Sequence, residues 1–180
     1  MFDTSNMGEQ IKERLKRCGE GIVIYPLAKI VKPEVVEIGD YSRIEDFVFI
    51  YGGKGIRIGR YVNVGAFTSI IGGGELVIGD FAAIACGARF VTGMDVADGG
   101  SRINHLVSIE QRTLVLGKIV LEKDVLIGTS VVIHPNVTIG EGAIIGSNSL
   151  VIKSIEPWSI NVGSPCRKTG ERPRVTVPDI

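Results

Sequence analysis

LEKDVLIGTSVVIHPNVTIGEGAIIGSNSLVIKSIEP, residues 121–157, carries an apolar residue at every sixth position: Leu121, Ile127, Ile133, Ile139, Ile145 and Val151. Four positions after each comes a second small or branched residue: Val125, Val131, Val137, Ala143, Ser149 and Ile155. A helix of period 3.6 cannot hold a six-residue repeat on one face, and a flat strand of period 2 has no use for the Gly that recurs beside the apolar residue. The pattern suits a three-sided coil in which each hexad forms one short side. The position-one aliphatic then fills the interior. Gly128, Gly140 and Gly146 fall next to corners where a Cβ would crowd the chain.

The repeat extends upstream with a longer corner. IGDYSRIEDFVFIYGGKGIR from Ile38 aligns over IGRYVNVGAFTSIIGGGELV from Ile58, a period of twenty made of two sixes and an eight. A third copy, IGDFAAIACGARFVTG from Ile78, loses its period between about Thr92 and Lys118 before the strict hexads resume. That break falls on the third side, where the earlier coils already bulge at Gly52-Gly53 and Gly72-Gly73-Gly74. Ile24 and Ile30 continue the register backwards, giving about six coils, and at roughly 4.8 Å per stacked strand a prism about 30 Å long. Residues 6–18 read as one amphipathic helix capping the open end, with Asn6 as N-cap, Glu9 at the third position, and Met7, Ile11, Leu15 and Cys18 on one face. The expected organisation is a helical cap at 1–20, an all-β parallel β-helix at 21–156 with a loop extruded over about 92–118, and a tail at 157–180.

Composition narrows the functions. Lys plus Arg equals Asp plus Glu at 20 each in 180 residues, so no global field draws nucleic acid or an anionic membrane. No apolar run spans a bilayer and MFDTSNMGEQ lacks the regions of a signal peptide, so a cytoplasmic protein is expected. Cys18, Cys86 and Cys166 are odd in number and scattered, and read as reduced thiols.

IGTSVVIHPNVTIGEGAIIGSNSLVIKSIEP and the following VGSPCRKTG resemble the closing coils and C-terminal turn of the hexapeptide-repeat acyltransferases, in particular the galactoside, maltose and xenobiotic acetyltransferase branch. The resemblance covers roughly Ile38 to Arg167. It implies a left-handed β-helix, a homotrimer, and acetyl-CoA as co-substrate in a groove between subunits. It implies no metal. The implied activity is transfer of an acetyl group to a hydroxyl or amine of a sugar, sugar nucleotide or other small polar acceptor. Alternatives are serine acetyl or succinyl transfer and a non-catalytic scaffold, since fold does not fix function. A zinc carbonic anhydrase on the same fold needs three histidines, and the chain has His105 and His134 only.

Acyl transfer needs a base, an oxyanion donor and a groove for the pantetheine arm. The family's usual base is a histidine at or near the extruded loop, and His105 lies inside that loop, in MDVADGGSRINHLVSIEQRT. The branch pattern places its histidine directly after Val-Thr-Gly, whereas Val91-Thr92-Gly93 precedes Met94-Asp95 here. His105 is the favoured base, Asp95 or Asp98 stays open as a carboxylate alternative, and a loop histidine facing solvent is the plain reading. His134 follows an inward position and reads as surface. For the cofactor the resemblance matches Thr129 and Ser147, one 18-residue coil apart, to backbone N–H donors, and Lys153 to a lysine after the last full hexad. Arg167, Lys168 and Arg172 follow as candidates for the phosphates of CoA, against the plain reading of a solvated basic terminus. On the acceptor side the branch's asparagine is replaced by Gly65, with Asn63 two residues earlier, which points to a different acceptor.

Overall fold

A computed structural model describes residues 5–180; the first four residues of the expected cap lie outside them. The chain winds a left-handed parallel β-helix with three faces. The first face stacks Arg17–Cys18, Val36–Ile38, Gly55–Ile58, Glu75–Ile78, Lys118–Leu121 and Thr138–Ile139. The second stacks Val23–Ile24, Arg43–Ile44, Asn63–Val64, Ala83–Ile84, Leu126–Ile127, Ile144–Ile145 and Ser159–Val162, and Arg167–Glu171 returns antiparallel at its edge. The third stacks Lys29–Val31, Phe49–Tyr51, Ser69–Ile71, Arg89–Val91, Val132–Ile133 and Leu150–Val151.

The register follows the repeat. Ile38 pairs with Ile58, Ile58 with Ile78, Ile78 with Leu121 and Leu121 with Ile139. All six position-one residues from Leu121 to Val151 are at most 1% exposed, and so are Val125, Val131, Val137, Ala143 and Ser149. Each side therefore sends one aliphatic and one smaller residue inward, and Phe90 is the large side chain of that interior. The corners turn through left-handed backbone, mostly at residues other than glycine: Tyr41, Phe47, Tyr61, Phe67, Phe81, Asp124, Ser130, Asn136, Asn148 and Trp158, with glycine at Gly21, Gly87 and Gly142. The glycine two residues before such a corner serves space, not dihedral freedom. A Cβ on Gly128 would lie 2.6 Å from the backbone nitrogen of Ser147 in the next coil.

The N-terminal segment differs from the expected helix over 6–18. It forms a 3-10 turn at Gly8–Arg14, preceded by Met7 with no side-chain cap, and Arg17–Cys18 is already a strand on Val36–Ile38. The exposed edge of the first coil takes the groups an α-helix would have used. The Glu9 carboxylate accepts the Ile24 N–H at 2.9 Å, and Asn6 and Ala28 carbonyls accept the N–H groups of Ile30 and Gly8. Ile11 alone of the predicted apolar face is fully buried, plugging the prism end.

The extruded segment leaves the third face after Val91. Gly93–Asp95 pairs antiparallel with Leu114–Leu116, and the Gly117 N–H closes the root on the Thr92 carbonyl at 2.8 Å. No helix among the described residues is long and apolar enough to cross a membrane.

Candidate active site on the second corner

The corner between the second and third faces presents the same backbone position once per coil: Asp46, Ala66, Cys86, Thr129 and Ser147, each directly before a left-handed residue. At Ala66 a side chain covers the amide. The Ala66 N–H is taken by Glu45 Oε2 at 2.9 Å, from one residue before the corner in the coil beneath. The residues equivalent to Glu45 in the following coils are Gly65, Ala85, Gly128 and Gly146, which have nothing to offer the amide above. Among the described residues the N–H groups of Cys86, Thr129 and Ser147 accordingly have no hydrogen-bond acceptor. Three donors line up along one exposed edge, about 4.8 Å apart by the coil spacing. Thr129 and Ser147 are both exposed.

A groove of about 420 Å³ lies at the C-terminal end of the prism, lined by Lys153, Glu156, Asn161, Cys166, Arg167 and Lys168 among others. The strand Arg167–Glu171 folds back on Ser159–Val162 and so brings Arg167 and Lys168 beside Lys153. The three cations differ. Lys168 lies 3.2 Å from both Glu156 and Glu171, and those hydrogen bonds hold its ammonium pKa above the ordinary lysine value. Lys153 and Arg167 have no carboxylate partner among the described residues. Burial pushes the Cys166 thiol up, partly offset by a hydrogen bond with Ser149.

Arg172, read from the sequence with the same phosphate set, is elsewhere. The five-residue return strand crosses the second face and delivers it to the opposite corner. There its Nη1 donates to the carbonyls of Asp124 and Gly142 at 2.7 and 3.1 Å, and its guanidinium lies 5.7 Å from the Trp158 ring. It tethers the C-terminal segment to that corner.

On the extruded loop the candidate bases separate. Asp95 ends the inner strand of the hairpin, with a side chain 16% exposed. Its Oδ1 accepts both Arg112 Nε at 2.9 Å and Nη2 at 2.7 Å, which leaves Oδ2 unengaged among the described residues. Asp98 is exposed and accepts the Gly100 N–H in a local turn. His105 is exposed toward the outer end of the loop, and no hydrogen bond or ion pair joins it to Asp95 or Asp98 among the described residues. Ile103, Leu106 and Ile109 flank it at 65%, 82% and 61% exposure, an apolar tip that the single chain leaves uncovered. His134 is half-buried on the third face. The described residues hold no group of three or more His, Cys, Asp or Glu arranged to bind a metal.

The bacterial transferase hexapeptide pattern of six repeats matches residues 118–153. The chain is 33% identical to the dTDP-4-amino-4,6-dideoxy-D-glucose acyltransferase of Escherichia coli over 165 residues, covering 91% of this chain and 86% of that one. Among solved structures it resembles AntD, an N-acyltransferase of Bacillus cereus. The complex of AntD with dTDP and 3-hydroxybutyryl-CoA has a TM-score of 0.87 and 32% identity, covering 94% of this chain and 91% of that one. A serine-to-alanine variant with dTDP-4-amino-4,6-dideoxyglucose and coenzyme A gives 0.86 and 34%, covering 91% and 87%. A hexapeptide-repeat acetyltransferase of Vibrio cholerae with acetyl coenzyme A shares the fold, with a TM-score of 0.60 at 24% identity over 92% of this chain and 75% of that one.

Proposed function

Since this chain belongs to the hexapeptide-repeat acyltransferases, we propose that it moves an acetyl group from acetyl-CoA to the amine of a nucleotide-linked 4-amino-4,6-dideoxyhexose. The observation that carries the donor half is the run of open amides at Cys86, Thr129 and Ser147, ending at Lys153 and Arg167. Pantetheine carbonyls accept from Thr129 and Ser147, and the phosphates of CoA meet the two cations. The thioester then falls at the level of Cys86, whose N–H is placed to receive the developing oxyanion. The acceptor half is supported by the Escherichia coli relative and by AntD, which binds the nucleotide amino sugar.

The amine nitrogen attacks the thioester carbon, a C–N bond forms, and the C–S bond breaks to release CoA as thiolate. The nitrogen sheds one proton in the process. We assign its removal to Asp95, because Arg112 pins the carboxylate through one oxygen and leaves the other free to accept. The proton is then available to the CoA thiolate. A carboxylate fixed at the loop root is better positioned than the imidazole of His105 at the exposed tip. A homotrimer, in which the apolar tip around Leu106 packs on the next subunit, is part of this reading; a monomer mass by light scattering at micromolar concentration would count against it.

The test is steady-state acylation of dTDP-4-amino-4,6-dideoxyglucose followed by thiol release, with acetyl-CoA and 3-hydroxybutyryl-CoA compared. Asp95→Asn is expected to lower kcat by about 10² to 10⁴ with CoA affinity intact. A larger loss in His105→Ala moves the base to the imidazole. No thiol release from either donor overturns the acceptor assignment.

A further inference from the structure

Two aromatic ladders climb the prism, one on each of two corners. On the corner between the first and second faces Tyr41 stacks on Tyr61 at 5.2 Å and Tyr61 on Phe81 at 5.4 Å. This ladder is closed above, where the Lys123 ammonium lies 5.6 Å over the Phe81 ring. On the second corner Phe47 and Phe67 stack at 4.8 Å with planes 9° apart, and Leu27 precedes Phe47 by one twenty-residue repeat. This one is open above. The next corner residue is Gly87, at φ +76°, and the one after it is Ser130. The ring of Phe67 is left 57% exposed below a gap where one ladder side chain is missing.

We propose that this gap receives the hexose ring of the acceptor, with the C–H-rich face and C-6 methyl of the sugar lying on Phe67. The inference rests on the acceptor reading above and makes it specific. The gap lies at the level of the Cys86 amide, one coil below Thr129 and two below Ser147, so it is where the thioester of a CoA held by those amides ends. The attacking amine must come within about 3–3.5 Å of the thioester carbon, and the amine is a substituent of the hexose. The base of the nucleotide is separated from that ring by a deoxyribose and a diphosphate and belongs elsewhere. Two coils, about 9.6 Å, separate the levels of Phe67 and Ser130, room for one ring resting on Phe67. The rim is cationic: Arg89 Nη1 donates to the carbonyls of Phe67 and Gly87, which holds its guanidinium beside the gap and within reach of the sugar-linked phosphate.

The experiment compares wild type with Phe67→Ala, Phe67→Tyr and Gly87→Asn, measuring acceptor KM, kcat, and the affinities for CoA and for dTDP alone. A contact of about 60 Å² of apolar surface corresponds to roughly tenfold in affinity, so Phe67→Ala is expected to raise the acceptor KM about tenfold. Phe67→Tyr keeps the ring and restores the wild-type value. Gly87→Asn fills the gap at a small backbone cost, since Asn148 holds the same corner position at φ +59° and only the Ser130 hydroxyl, 3.3 Å from the added Cβ, has to give; it is expected to abolish acylation while CoA still binds. A 6-deoxy acceptor is preferred over its 6-hydroxy analogue by up to about a hundredfold, and Phe67→Ala erodes that preference. The affinity for dTDP alone stays unchanged in Phe67→Ala. A parallel fall in dTDP affinity puts the base on the ring and overturns the inference. So does an unmoved acceptor KM, or a loss of subunit assembly and CoA binding in Phe67→Ala, which means a neighbouring subunit fills the gap. A wild-type protein that binds no dTDP and acylates no nucleotide amino sugar overturns the acceptor assignment itself, a result distinct from all of these.

Discussion

Replacing Thr92 with valine tests whether the loop root controls the chemistry. Thr92 is 1% exposed, accepts the Gly74 N–H at 2.9 Å and donates to the Ile71 carbonyl at 2.8 Å. Valine keeps the shape and removes the hydroxyl, so no cavity opens. The Ile71 carbonyl still accepts the Thr92 backbone N–H at 2.8 Å, which leaves the buried Gly74 N–H as the one group without a partner. A buried donor left unsatisfied costs about 1–3 kcal/mol, and the added methyl returns less than about 1 kcal/mol, for a net loss of about 1–2 kcal/mol. The loss is local, because Gly74 lies against the carbonyls of Thr92 and Gly117, the two ends of the loop. Root opening should therefore become about 5- to 30-fold more frequent. Hydrogen exchange at the Gly74 and Gly117 amides, with urea unfolding of the same variant, measures both parts, and Thr92→Ser serves as the control that keeps the hydroxyl. If Asp95 works by being held in place, kcat falls in proportion to the closed fraction that the exchange measures, while CoA affinity is unchanged. A stability change below about 0.5 kcal/mol together with unchanged exchange would refute the assignment of Thr92 as the clasp.

Lys153→Ala is expected to weaken CoA about tenfold and dephospho-CoA less, with the difference shrinking at high salt, as isothermal titration at two ionic strengths would show; equal losses for both ligands move Lys153 from the 3′-phosphate to the pyrophosphate. Because burial raises the Cys166 pKa, its thiolate is scarcer than that of an ordinary cysteine at neutral pH and gains on it only as pH rises through the raised value. Its alkylation by iodoacetamide should lag an unperturbed thiol at pH 7.5 and slow further when CoA fills the groove. Faster modification, or no protection by CoA, sinks the placement of the groove.

The prism was legible in the sequence because its interior admits one large aliphatic and one smaller residue per side. A six-residue spacing of aliphatics satisfies that condition and neither of the common alternatives, and the length of the extruded loop followed from the register lost at Thr92 and regained at Lys118. The N-terminal helix was misread because Met7, Ile11, Leu15 and Cys18 have helical spacing, while what decides that segment is the unpaired edge of the first coil, which draws Glu9 to the Ile24 N–H. Arg172 shows the same limit: neighbours in sequence part company when a strand of five residues lies between them. The open amides depend on a side chain one coil below, as Glu45 and Ala66 show, so the signal is an absence at Gly128 and Gly146 that has meaning only once the coils are stacked. The aromatic ladders were within reach: Tyr41, Tyr61 and Phe81 share one column of the twenty-residue alignment, and Phe47 and Phe67 share another.

The open upper end of that second column argues that its phenylalanines serve something outside the fold. Phe47 and Phe67 hold left-handed backbone at φ +60° and +62°, a conformation that costs a bulky residue about 1–2 kcal/mol. Their mutual stacking returns about 0.5–1.5 kcal/mol for the pair, less than the combined strain. Partial burial, with both rings close to half exposed, offsets most of the remainder and leaves the column near balance. The corner itself has no need of them: Ser130 and Asn148 hold the same position in later coils at φ +57° and +59°, and asparagine tolerates that backbone far better. An exposed ring column next to an uncovered amide gains further stability when another surface completes it, and the ring of an acceptor at Gly87 supplies that surface where the reaction needs it.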